Sequence, residues 1–161
     1  MEYPAEQVVS QLQALAVTHV VWLPDSAMGP WETAFEHSTT FKLVRVCREG
    51  EAWAIAAGLH LAGCRPLVMI QNTGLFESGD AMRNVLFDLK LPLAAVIGYR
   101  SYLVSGSTDT ARQFTEPVLD AWGLDYAIVR SSQELPTISR HLSACRNGGK
   151  PGVVLIAEGR M

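Results

Sequence analysis

The sequence predicts an α/β protein built on a doubly wound, mostly parallel sheet with helices on both faces. Three observations predict it. Short runs that are apolar throughout recur from end to end, as strands buried on both faces require. Between them lie segments with apolar residues at helical spacing, which supply the crossovers that parallel pairing needs. Finally, 161 residues that are 48% hydrophobic and 18% charged provide the core of one ordinary domain, taken as residues 1–161, and exclude disorder.

The elements follow in order. From Ala5 to Ala16, Val8, Leu12, Leu15 and Ala16 share one helical face. His19 to Leu23 (HVVWL) is a short apolar run stopped by Pro24, hence a strand. A helix is predicted near Gly29 to Glu36 and a strand over Lys42 to Val46. Arg48 to Leu61 is alanine-rich and helical, with Gly63 as its stop. Pro66 to Ile70 is a strand, Ser78 to Asp88 a helix, and Leu93 to Ile97 a strand. The helix Gln113 to Trp122, strand Tyr126 to Val129, helix Glu134 to Cys145 and strand Val153 to Ile156 complete the set. No linker or internal repeat divides them.

Charge and motifs narrow the function. A net charge of −3 without a basic run lacks the electrostatic footprint of nucleic-acid binding. Apolar stretches such as Leu91 to Tyr99 fall short of the ~20 residues of a membrane helix. The opening MEYPAEQVVSQ has acids where a signal peptide has lysines, so a cytoplasmic location is expected. Cys47, Cys64 and Cys145 form no CxxC, and His19, His37, His60 and His141 form no HExxH. The expectation is three reduced thiols and no zinc or other metal site. GxGxxG, GxxxxGK[ST] and GxSxG are all missing, and Gly148-Gly149-Lys150-Pro151-Gly152 precedes a strand and reads as a turn.

In doubly wound sheets ligands bind outside the carboxyl ends of the strands. That rule selects Pro24-Asp25-Ser26, Cys47-Arg48-Glu49, Gln71-Asn72-Thr73-Gly74 and Gly98-Tyr99-Arg100. Each has a plainer reading. Asp25 and Ser26 read equally as helix caps, Glu49 as a first-turn acid favoured by the helix dipole, and Asn72 to Gly74 as a turn.

The stretch Arg48-Glu49-Gly50-Glu51-Ala52-Trp53-Ala54-Ile55-Ala56-Ala57-Gly58 resembles the activating-glutamate helix of thiamine diphosphate enzymes. Their pyrimidine-binding (PYR) domains carry a Glu, an Ala three places on and a Gly nine places on, matched here by Glu49, Ala52 and Gly58. Met69-Ile70-Gln71-Asn72-Thr73-Gly74-Leu75 is similar to the MQNSGL segment of sulfopyruvate and phosphonopyruvate decarboxylases. Leu23-Pro24-Asp25-Ser26 resembles their first-strand turn, VPDS or VPCS. The chain departs from single-chain members in its GDG…Asn diphosphate motif: the nearest match, Gly79-Asp80-Ala81, lacks the second glycine.

The resemblance implies a PYR-type α/β fold and the α subunit of a split decarboxylase, with thiamine diphosphate as cofactor. A β subunit carrying the diphosphate-binding GDG…N domain would hold Mg²⁺. Glu49 would hydrogen-bond N1′ of the aminopyrimidine and favour the imino tautomer that removes the thiazolium C2 proton. Gln71, Asn72 and Thr73 would line the cofactor; Ser26, Asn72 and Arg100 would face substrate. Ala52, Ala56 and Gly58 suit packing against another subunit or within the core, and Glu51 reads as structural or as a support behind the site. Sulfonate or phosphonate recognition needs cationic or N–H donors. Arg48 and Arg100 are the strand-end candidates, while Arg83 and Arg112 lie in or near helices. The polar segment Ser101 to Arg112 reads as a mobile active-site loop or a solvated connector. Sulfopyruvate is the first substrate choice and phosphonopyruvate the second, with an acetolactate-synthase-like carboligase behind both. A non-catalytic flavodoxin-like binding module is the alternative of another class.

Overall fold

The computed structural model describes residues 3–24 and 26–159. Asp25, one of the two candidate caps, lies outside the described residues. Six parallel strands form one sheet: β1 (His19–Trp22), β2 (Lys42–Arg45), β3 (Pro66–Gln71), β4 (Ala94–Tyr99), β5 (Asp125–Val129) and β6 (Gly152–Ala157). Their spatial order is β2-β1-β3-β4-β6-β5. The chain moves outward from β1 to β2, then returns to place β3 on the other side of β1. That reversal makes the carboxyl ends of β1 and β3 the topological switch point.

The helices are α1 (Ala5–Ala14), α2 (Glu32–Glu36), α3 (Glu49–Leu61), α4 (Asn72–Glu77), α5 (Gly79–Arg83), α6 (Thr110–Ala121) and α7 (Pro136–Asn147). Side chains alternate across each strand, so the two faces of the sheet build separate cores. Val20, Trp22, Leu67, Met69, Val154 and Ile156 meet Val8 and Leu12 of α1, Phe35 of α2, and Ile138 and Leu142 of α7. Val21, Val68, Ile70, Ala95, Ile97 and Leu155 meet Trp53 of α3, Met82 of α5 and Leu119 of α6. Helices therefore cover both faces, as expected. No helix among the described residues is long and apolar enough to cross a membrane.

Local boundaries shift for identifiable reasons. Gly63, at φ +82°, ends α3 in the left-handed region that favours glycine. Asn72 to Gly74 is not a turn: α4 begins directly after β3, and the helix breaks only at Ser78. The Ser78 hydroxyl donates to the Gly74 carbonyl at 2.6 Å and accepts from Trp53 Nε1 at 3.0 Å, tying α4 to α3. A π-helical turn, Asn84–Asp88, then replaces the end of the helix expected to run to Asp88. Gly98 and Tyr99 belong to β4, beyond the expected Ile97. Helix α6 starts three residues before Gln113, because the Asp109 carboxylate caps it by accepting the Ala111 N–H at 3.0 Å.

Candidate active site

Because all strands are parallel, the segments after β1, β2, β3 and β4 emerge at one edge of the sheet. Ser26 lies exposed in the turn after β1. Glu49 is the first residue of α3, half-buried, and its carboxylate accepts no hydrogen bond among the described residues. Gln71 ends β3 and Thr73 lies in the first turn of α4; the Thr73 hydroxyl donates to Gln71 Oε1 at 2.8 Å. Arg100 follows β4.

The decisive contact joins two of these segments. A Cβ added to Gly74 would stand 2.6 Å from Glu49 Oε1 and 2.7 Å from its Cδ. The glutamate side chain thus lies directly on the Gly74 backbone, an approach that only the missing Cβ allows. Two further acids hold the start of α3. Glu51 Oε2 accepts the Cys47 N–H at 3.1 Å, closing the turn that leads into α3. Glu77 accepts the Gly50 N–H at 3.0 Å and pairs with Arg48 at 3.1 Å (Nε) and 2.6 Å (Nη2). The Arg48 guanidinium, followed by the Gly50 N–H, holds the Glu77 carboxyl below its ordinary value. No local motif advertises Glu77, which acts across 27 residues of chain.

Asn72 points inward. It is fully buried; its Nδ2 donates to Thr115 Oγ1 at 3.0 Å, and its Oδ1 has no hydrogen-bond partner among the described residues. The structure therefore separates the buried Asn72 from its half-buried neighbours Gln71 and Thr73. Arg100 is held by Asp109 through Nε at 2.8 Å and Nη2 at 3.1 Å. Asp109 also accepts from Ser101 Oγ at 2.8 Å. Chiefly through Arg100, its carboxyl is held down to about 2. Thr73 and Arg100 nevertheless meet on one groove of about 450 Å³, shared with Phe76, Phe114 and Val118. The polar segment after Arg100 folds into successive turns, fastened by Asp109 and by the Leu103 N–H on the Glu158 carbonyl at 2.9 Å. Of the small residues on α3, Ala52 and Ala56 are core, whereas Gly58 faces open space.

The chain is similar to several known proteins. No family model matches the chain. It is 25% identical over 122 residues to sulfopyruvate decarboxylase of Methanosarcina acetivorans, covering 74% of this chain and 32% of that protein. It is 26% identical over 148 residues to phosphonopyruvate decarboxylase of Streptomyces viridochromogenes, covering 88% and 36%. A 57-residue match at 32% identity joins it to sulfopyruvate decarboxylase subunit alpha of Methanothermobacter thermautotrophicus, covering 35% of this chain and 34% of that one. Among solved structures, benzoylformate decarboxylase from Polynucleobacter necessarius superposes with a TM-score of 0.77 at 19% identity, over 98% of this chain and 30% of that one. The chain is thus similar in sequence to sulfopyruvate and phosphonopyruvate decarboxylases and in fold to benzoylformate decarboxylase. It spans about a third of the length of the curated relatives it matches.

The residues at this edge of the sheet offer a carboxylate beside an amide–hydroxyl pair. A half-buried carboxylate that accepts no hydrogen bond among the described residues, together with the polar Gln71–Thr73 pair, suits a ring nitrogen and an amino group.

Proposed function

We propose that this chain is the pyrimidine-binding half of a thiamine diphosphate-dependent 2-oxo acid decarboxylase. The observation that carries the reading is Glu49 seated on Gly74 at the carboxyl edge of the sheet, its carboxylate accepting no hydrogen bond among the described residues. When bound, thiamine diphosphate supplies the carbon nucleophile and the electron sink for loss of carbon dioxide. This chain's contribution is proton control: Glu49 holds a proton at N1′ of the aminopyrimidine. Gln71 and Thr73 orient the ring's edge. Asn72 sets their position from behind, by fastening α4 to α6 through Thr115. Ser26, exposed at the end of β1, and Arg100, beside Thr73 in the groove, face the substrate side.

The reading assigns the diphosphate and Mg²⁺ to a β subunit carrying GDG followed by Asn. A relative named as a subunit alpha supports that division. So does the exposed stripe of α3 formed by Ala54, Gly58 and Leu61, small and apolar at helical spacing. Sulfopyruvate is the substrate placed first and phosphonopyruvate second, after the relatives bearing those names. An Arg100 side chain with two of its nitrogens committed to Asp109 offers a fixed, preorganised donor for such an anion.

The test is co-expression with a partner carrying the diphosphate motif, followed by carbon dioxide release from sulfopyruvate, phosphonopyruvate and pyruvate. Turnover of the sulfonate above the others is the expected result. Turnover that forms a carbon–carbon bond instead would make the assembly a carboligase. A complex inert to every 2-oxo acid, with no thiamine diphosphate bound, would leave a non-catalytic module.

A further inference from the structure

At the opposite edge of the sheet, the amino ends of the strands carry a cluster of a different chemistry. Asp125 opens β5, the edge strand, and His141 and Cys145 stand four residues apart on α7, which lies across β5 and β6. A carboxylate oxygen, a ring nitrogen and a sulfur from these three residues all lie within 4.8 Å of one another. We propose that Asp125, His141 and Cys145 form a zinc site that staples α7 to the edge of the sheet.

The distances suit the ion. Zinc bound tetrahedrally at about 2.3 Å from sulfur and about 2.0–2.1 Å from nitrogen places those atoms about 3.6 Å apart. His141 Nε2 and Cys145 Sγ are 3.6 Å apart. The Asp125 carboxylate oxygen lies within 4.8 Å of both atoms, within reach of the same ion. The donor set of sulfur, nitrogen and oxygen selects a borderline-soft divalent ion over calcium or magnesium, which take oxygen ligands. Burial also has the right gradient. Cys145 is buried, His141 half-buried and Asp125 exposed, so an ion enters from solvent and ends against the core. Gly152 makes room for the thiol, since a Cβ there would lie 2.8 Å from Cys145 Sγ. No spacing motif announces the site, because Asp125 comes from a strand and the other two ligands from a helix.

The alternative is a plain hydrogen bond from His141 to the Asp125 carbonyl beside an inert thiol. Cobalt titration of the chelator-treated full chain separates the two. The zinc site predicts one tightly held Co²⁺ per chain, with a thiolate-to-cobalt charge-transfer band and the visible bands of a tetrahedral ion, displaced by Zn²⁺. Cys145→Ser and His141→Gln should each abolish the charge-transfer band, while Cys47→Ser and Cys64→Ser retain it. Circular dichroism checks the fold. If Cys145→Ser fails to fold, the half-exposed His141→Gln decides. A wild-type chain without the band, a band that survives His141→Gln, or one lost in Cys47→Ser would overturn the assignment.

Discussion

Replacing Gly74 by alanine introduces a single methyl group where the Glu49 side chain already lies. The added Cβ would stand 2.6 Å from Oε1 and 2.7 Å from Cδ, whereas unstrained contacts to carbon need about 3.5–4.0 Å. The glutamate must therefore move by roughly 1 Å, since that is the shortfall in contact distance. It cannot do so through a terminal rotation alone, because its Cγ is among the atoms displaced. A misplacement of roughly 1 Å in a positioned catalytic group costs on the order of 10²-fold in rate. Stability should respond differently. Overpacking costs about 1–3 kcal/mol, but alanine regains about 1 kcal/mol over glycine inside a helix. The net loss is thus expected to be small, and Gly74→Ala should fold. The assay is proton–deuteron exchange at thiazolium C2 in the reconstituted complex, read beside the thermal midpoint. Exchange slowed ~100-fold at nearly unchanged stability is the expected result. Exchange at the wild-type rate in a folded Gly74→Ala complex would refute the argument that Glu49 acts from its seat on Gly74.

Four other outcomes follow from the same geometry. Glu49→Gln should slow C2 exchange by ~10²- to 10⁴-fold, while Glu51→Gln, which keeps an oxygen for the Cys47 N–H, should leave it near wild type; neither change slowing exchange would dismiss this helix as the thiamine-activating one. Ser26→Ala should raise KM or alter the preference among 2-oxo acids in an assembled complex, and unchanged kinetics on all of them would reduce Ser26 to a turn residue. Arg100→Met should raise KM for a sulfonate or phosphonate more than it lowers kcat, whereas a loss confined to the thermal midpoint would make the arginine only a fastener for Asp109. Asp109 also predicts a pH effect: its carboxyl, ordinarily near 3.8, is held down to about 2. The stabilisation it gives is complete above the ordinary value and is lost as pH falls from about 4 toward 2; urea midpoints measured down that range should fall less steeply for Asp109→Asn than for wild type.

Much of the architecture is legible in local pattern. The strands HVVW, PLVMI and VVLI are apolar on both faces because helices cover both, and that uniformity is visible residue by residue. Gly63 declares the end of α3, and Glu49 to Gly58 together with Gln71 to Leu75 carry the resemblance to thiamine diphosphate enzymes. Other features are not local. Asn72, a turn or ligand residue by its type, is turned inward by a hydrogen bond to Thr115, 43 residues away. Gly74 reads as a turn glycine but serves as the floor beneath Glu49. Asp109 sits in a polar stretch that reads as a loop and becomes a helix cap and the partner of Arg100. Glu77 has no motif at all, yet it steadies the first turn of α3. Periodicity and capping record which neighbours along the chain share an environment. The placement of the carboxylate on Gly74 depends instead on how α3 and α4 pack against a common sheet, because that packing brings atoms 25 residues apart within van der Waals contact.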